Sequence, residues 1–174
     1  FPGGKGFPRL ELMTTSREVQ KTMAEAIQGM WKKHLGIHVD IRSCEWTAYK
    51  FAQNSMQYDF SSSSWSGDYL DPSSFLDLWG SASGNNNTGW VHPEYERLLA
   101  ESRATGNQEK RMALLARAEA LMLSESPVIP LYWAKRSYLK RPEVRGWHPL
   151  LLENHLFEDI SLDDAREHGT EAAP

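Results

Sequence analysis

A strand, a helix and a second strand follow one another with almost no connecting chain near the start of this sequence, and that run constrains the fold more than any other feature. In RLELMTT (9–15), apolar Leu10 and Leu12 alternate with polar neighbours, the period of a strand with two different faces. The run ends in Thr14, Thr15 and Ser16, hydroxyl side chains of the kind that satisfy the first free N–H groups of a helix. Val19, Met23, Ile27, Met30, Trp31 and Leu35 then recur at three- and four-residue steps, which predicts a helix over 16–35 with these residues on its buried face. Gly36 supplies the stop, because glycine enters the left-handed conformation at a helix end without a steric penalty. Beyond it, Ile37, Val39 and Ile41 alternate with His38, Asp40 and Arg42 and predict a second strand. A β-α-β unit of this kind defines an α/β fold class, here read as a mixed sheet flanked by helices.

The remaining chain extends that pattern and then departs from it. A short helix over 46–53 and a third strand over 58–65 continue the alternation. The segment 66–72 (SGDYLDP) reads as a turn, 72–79 as a short helix and 80–89 as a polar loop of the sort that often carries sites. Two helices are predicted at 93–103 and 108–123. Arg111, Leu115, Ala118 and Met122 are in register along the second, Leu114 and Leu121 broaden its face, and the short connection makes the two antiparallel neighbours. Val128 to Trp133 and Ser137 to Leu139 read as a strand pair joined by a charged turn at Lys135 and Arg136. Residues 1–8 hold two Phe-Pro pairs and three glycines and read as a linker. Residues 9–162 read as one lobe with one core, and 163–174, with almost no bulky apolar residue, as a disordered tail.

Charge and composition exclude several functions. Nineteen basic against twenty-three acidic residues give a formal net charge of −4, the wrong sign for a chain that neutralises phosphates, so nucleic acid is not an expected partner. No apolar run approaches the roughly 20 residues needed to cross a bilayer, and direct membrane insertion is not expected. Cys44 is the only cysteine, which removes internal disulfides and CxxC metal spacing. His34 and His38 are four apart, but Gly36 breaks the helix between them, and no metal or cofactor is expected. The serines at 61–64 lack a nucleophile-elbow context, and Asp68, Asp71 and Asp77 lack the calcium-loop pattern, so the chain is not read as an enzyme.

One segment has the composition of a recognition site. Trp65, Ser66, Gly67, Asp68 and Tyr69 set an aromatic ring, small residues with accessible main chain and one anion side by side. A strand ending in small residues offers its N–H and C=O groups to an extended ligand, and a carboxylate can hold an ammonium. The competing reading is structural: Asp68 caps the helix that begins near Pro72, or fixes its own turn.

At the level of ordered motifs, the chain resembles the C-terminal lobe of periplasmic oligopeptide- and dipeptide-binding proteins, the extracellular solute-binding (family 5) components of ABC importers. GGKGFP, LELMTT, MWKKHLGIHVDI, EWTAYKF, YDFSSSSWSGDYLDPSSFL, NNNTGW, HPEYERLL and ESPVIPLYW carry the resemblance in the family's order from Phe1 to Trp133. It implies one lobe of a two-lobed clamshell in which a peptide lies extended between the lobes. Asp68 matches the carboxylate that binds the peptide's α-amino group. Ser64, Trp65, Ser66 and Gly67 match the stretch that pairs with the peptide backbone, and Trp46 and Trp65 match aromatics lining side-chain pockets. The sequence departs from oligopeptide binders that place basic residues near the peptide's carboxylate: the aligned positions hold Gln20, Gln53 and Ser62. The resemblance further implies an absent N-terminal lobe, a membrane permease as partner, and a periplasmic or extracellular location, membrane-associated in envelopes without a periplasm. Other ligand classes on the same fold, such as a sugar, an opine or a nickel complex, remain alternatives, as do a hydrolase using Asp68, Asp71 or a serine of 61–64 and a pure interaction module.

Overall fold

The computed structural model describes residues 1–135, 137–150, 152 and 155–163. The chain divides into two compact units. One comprises Phe1–Trp65 with Pro72–Val128, the other Ser66–Asp71 with Ile129–Pro174. Length argued for one core; instead the described residues form three buried apolar clusters, all of them in the first unit.

The first unit opens with the expected β-α-β element: β1 (Leu10–Thr15), α1 (Glu18–Leu35) and β2 (Val39–Cys44), followed by α2 (Trp46–Asn54) and β3 (Phe60–Ser61). The three strands form a parallel sheet in the order β2-β1-β3. β1 pairs with β2 along its whole length, from Leu10 opposite Val39 to Thr15 opposite Cys44. It is central and covered on both sides, which explains why neighbouring residues of opposite orientation are both buried. Leu12 packs with Ala24 and Ile27 of α1 and Val39, while Met13 packs with Tyr49 and Ala52 of α2.

The apolar face of α1 lies differently from its prediction. Ala24 and Ile27 are buried, with Met23 and Trp31 packed at their side, whereas Val19, Met30 and Leu35 are exposed. A sheet of three strands is narrow. The stripe that meets it is centred on Ala24, Ile27 and Trp31, roughly a quarter turn of the helix from Val19 and Met30. Gly36 does end the helix, at φ 69° and ψ 17°. Residues 1–8, expected to hold no regular structure, form one 3₁₀ turn at Pro2–Gly4. Its backbone lies so close to Gly36 that a Cβ on Gly36 would stand 2.3 Å from the Gly3 carbonyl oxygen, and one on Gly4 would stand 2.1 Å from that of Gly36.

The rest of the unit is helical: α3 (Ser73–Leu76), a 3₁₀ turn (Asp77–Trp79), α4 (Pro93–Ala104) and α5 (Gln108–Glu125). Leu76, Tyr95, Leu98, Leu99, Leu114, Leu115, Ala118 and Met122 make its core, so Leu114, Leu115, Ala118 and Met122 lie on the face predicted for α5. The Tyr95 hydroxyl donates to the Leu76 carbonyl at 2.7 Å, and burial pushes this phenol well above its usual range. Both long helices are capped: the His92 ring accepts from the Glu94 N–H and the Asn107 side chain from the Lys110 N–H.

The second unit contains an antiparallel pair, β4 (Val144–Arg145) with β5 (Ser161–Leu162). The strand pair predicted at 128–133 and 137–139 does not form among the described residues. Pro130 has no N–H to give to a ladder, and Ile129, Leu131, Tyr132, Trp133 and Leu139 are exposed, so no apolar face fixes a register. Arg136, half of the predicted turn, and residues 164–174 of the predicted tail lie outside the described residues. Trp147 stacks with His155 at 5.1 Å and meets Tyr138 edge-on at 4.4 Å.

Candidate functional site

Because β1, β2 and β3 run in the same direction, their carboxyl ends gather on one edge: Thr15, Cys44 and Ser61 close the strands there. α1 and α2 both begin at that edge. In sheets of this kind, ligands bind outside the carboxyl ends of the strands, where the loops and the helix N-termini converge.

Trp46 is the first residue of α2, whose opening turn is fixed by the Glu45 carboxylate accepting the Thr47 N–H at 2.8 Å. The residue is 56% exposed, and its ring stacks on Tyr49 at 5.9 Å and lies under the Lys50 ammonium at 6.0 Å. Tyr49 is buried and reaches the end of β3. Its hydroxyl donates to the Ser62 carbonyl at 2.6 Å, lies 3.0 Å from Ser61 Oγ and accepts from Gln53 Nε2 at 3.1 Å. Lys50 Nζ donates to Gln53 Oε1 at 2.7 Å, which completes a chain of contacts from the solvent side of α2 to the strand end.

The third strand is shorter than its predicted 58–65. It pairs with β1 only through Phe60 and Ser61, and the last ladder bond runs from the Ser62 N–H to the Met13 carbonyl at 2.9 Å. Residues 62–67 carry no regular secondary structure. Four successive serines bring no apolar side chain to hold the backbone against the sheet, so the pairing stops where the apolar sequence stops. Ser63 and Ser64 are exposed, and the indole N–H of Trp65, a residue 40% exposed, donates to the Ser74 carbonyl at 3.1 Å. Three hydroxyls at this edge, those of Thr14, Thr15 and Ser62, are buried without a hydrogen-bond partner among the described residues.

The residues singled out from the sequence therefore fall into two groups. Trp46, Ser64 and Trp65 belong to the carboxyl edge of the parallel sheet. Ser66, Gly67 and Asp68 follow in the chain as part of the second unit; Gly67 is half-buried, while Ser66 and Asp68 are exposed, and Asp68 has a partner within the chain. Of the positions aligned with basic residues, Gln53 and Ser62 are buried in the Tyr49 network. Sequence reasoning missed Tyr49 and Lys50. Their signal was present, because Trp46, Tyr49, Lys50 and Gln53 have the spacing of one helical face. The polar loop before α4 is likewise structural: Asn86 Nδ2 donates to the carbonyls of Trp79 at 3.0 Å and Trp90 at 2.9 Å, and Asn86 Oδ1 accepts from Thr88 Oγ1 at 2.7 Å. Among the described residues, no group of three His, Cys, Asp or Glu side chains is placed to hold a metal ion, and no helix is long and apolar enough to cross a membrane.

Residues 2–87 match the middle region of the bacterial extracellular solute-binding proteins, family 5, and this stretch of the chain belongs to that family. The oligopeptide-binding protein OppA of Bacillus subtilis is 34% identical over 140 residues, 80% of this chain and 26% of the relative. The probable deoxycholate-binding periplasmic protein YgiS of Escherichia coli is 33% identical over 139 residues, again 80% and 26% of the two chains. A crystal structure of a periplasmic oligopeptide-binding protein of Borrelia burgdorferi superposes with a TM-score of 0.84 at 32% identity, over 94% of this chain and 33% of that one. The chain spans about a quarter of the length of the curated relatives it matches.

Proposed function

We propose that this chain carries part of the solute-binding surface of an ABC importer's extracellular binding protein, and that its solute is an extended oligopeptide. The observation that carries this reading is the carboxyl edge of the sheet. The ladder stops at Ser62, and two exposed serines and a half-exposed tryptophan follow. Main chain released from a ladder can pair with a ligand's backbone, which favours peptides without selecting their side chains. Asp68 takes the peptide's α-ammonium, and Trp46 and Trp65 offer aromatic surface to side chains. An exposed ion pair of this kind contributes only about 0–1 kcal/mol, so strong binding requires enclosure. The reading therefore includes a second lobe that closes over the solute, a permease partner in the membrane and a location outside the cytoplasmic membrane. It involves no catalysis.

Asp68→Asn in the complete two-lobed protein tests this by calorimetry. Affinity for peptides with a free N-terminus is expected to fall about tenfold or more, corresponding to about 1.4 kcal/mol, while N-acetylated peptides bind as they do to the unsubstituted protein. Equal losses for both would remove the amine-binding role. A second reading, a non-peptide solute, is favoured by one observation: a relative of comparable identity is named for deoxycholate. Mass spectrometry of the ligand that co-purifies with the protein separates the two.

A further inference from the structure

We propose that Tyr49 is a positioning residue for solute binding, holding residues 63–64 at the sheet's carboxyl edge so that their main chain is presented to the ligand. The inference rests on the solute-binding reading of that edge and adds the side chain that shapes it.

β3 is the outer strand of the sheet and contributes only two paired residues. So short an edge strand frays, because each residue fixed there costs about 1–2 kcal/mol of backbone entropy and returns few contacts. Two side-chain hydrogen bonds anchor the chain on either side of the exposed serines. At one end, the Tyr49 hydroxyl holds the Ser62 carbonyl at 2.6 Å; at the other, the Trp65 indole N–H holds the Ser74 carbonyl at 3.1 Å. Residues 63–64 are suspended between them.

The first anchor is itself rigid. Tyr49 is 2% exposed, packs with Met13 and Ala52 and is oriented by the Gln53 amide, which is held in turn by Lys50. A hydroxyl fixed on both sides prescribes where the carbonyl it binds must lie, and preorganised main chain spares the ligand the cost of ordering it. The stack of Trp46 on Tyr49 rests an exposed aromatic side chain on the same support.

The test uses Tyr49→Phe in the complete two-lobed protein, with Tyr95→Phe as the control. Tyr95 is also fully buried and also donates to a backbone carbonyl, that of Leu76 at 2.7 Å, but it lies in the helical core. Tyr95→Phe loses the bond to Leu76, whereas Tyr49→Phe loses the contacts of its hydroxyl with Ser62, Gln53 and Ser61, so it is expected to lose at least as much stability. In solute-free protein, amide hydrogen exchange at Ser62, whose N–H is held by the Met13 carbonyl at 2.9 Å, is expected to rise about tenfold in Tyr49→Phe and to stay unchanged in Tyr95→Phe. Peptide affinity is expected to fall about fivefold or more in the first and to change by less than about twofold in the second.

Unchanged exchange at Ser62 would overturn the inference, and so would raised exchange with unaltered affinity. If the unsubstituted protein binds no peptide, the solute reading fails, and the exchange result alone still decides whether Tyr49 holds the segment. Should Tyr49→Phe not fold, Gln53→Met, which removes the amide that orients the hydroxyl, is expected to shift exchange and affinity in the same directions, and no shift would count against the inference.

Discussion

Asn86 shows how much one side chain settles in this protein. Its amide group donates to the carbonyls of Trp79 and Trp90 and accepts from Thr88, closing the loop ahead of α4 around a single residue. Asn86→Ala leaves two half-buried carbonyls without donors and is expected to cost about 1–3 kcal/mol, measured by urea denaturation. Asn86→Asp keeps the acceptor but loses both donor bonds, so it should cost at least as much, and two unaltered denaturation midpoints would show that the loop does not need the clamp. From the sequence, Asn85, Asn86 and Asn87 were indistinguishable. Which of them faces the carbonyls depends on where the chain places residues 79 and 90, and no local pattern encodes that. Gly36 is the opposite case. It follows the last apolar residue of a helical run, and that position alone called for a left-handed residue.

The elements legible in advance were those whose apolar spacing agrees with their surroundings. β1, α1, β2, α4 and α5 formed within a few residues of their predicted limits. The faces and ends of elements were less legible, because they depend on what lies opposite. Val19 and Met30 fit the period of α1 but point past the narrow sheet, and β3 stops where its apolar residues give way to serine. The α4–α5 pair gives a prediction at this scale. Glu94, in the first turn of α4, is bound by Arg97 through two contacts of 2.6 and 2.7 Å, and Arg117 of α5 stands 3.4 Å away. The Arg97 hydrogen bonds, followed by the charges of Arg97, Arg117 and His92, hold the Glu94 carboxyl below the usual carboxylate range against a smaller opposing effect of desolvation. A lowered value in the folded state means that the stabilisation is present above the unfolded value of about 4.3 and is lost as pH falls through the folded one. Melting temperatures recorded from pH 7 to about pH 3 should therefore drop less on the acid side for Glu94→Gln than for the unsubstituted chain. Parallel curves would mean that this ion pair does not contribute.

On the scale of the whole molecule, buried residues are distributed very unevenly. Every buried residue among those described belongs to the first unit, while the second carries exposed Ile129, Leu131, Tyr132, Leu139, Leu156, Phe157 and Leu162. Composition gave no hint of this, because it counts apolar residues without saying which find neighbours. Limited trypsin treatment of the 174-residue chain is expected to cut after Lys135 and Lys140 before any site in α4 or α5, leaving the first unit's helices intact by mass spectrometry. Early cuts inside α4 or α5 would contradict that order. The candidate site was legible as residue types and in its order along the chain, but the division of the chain between Trp65 and Ser66 was not. The contact between the first turn and the end of α1 has a consequence for descent. A Cβ on Gly4 would run into the Gly36 carbonyl, one on Gly36 would run into the Gly3 carbonyl, and both glycines hold a positive φ, so selection acts on each of them twice. Among descendants of this protein both glycines should persist, and Gly36 even in a lineage whose opening turn has moved away, because the end of α1 still calls for a left-handed residue.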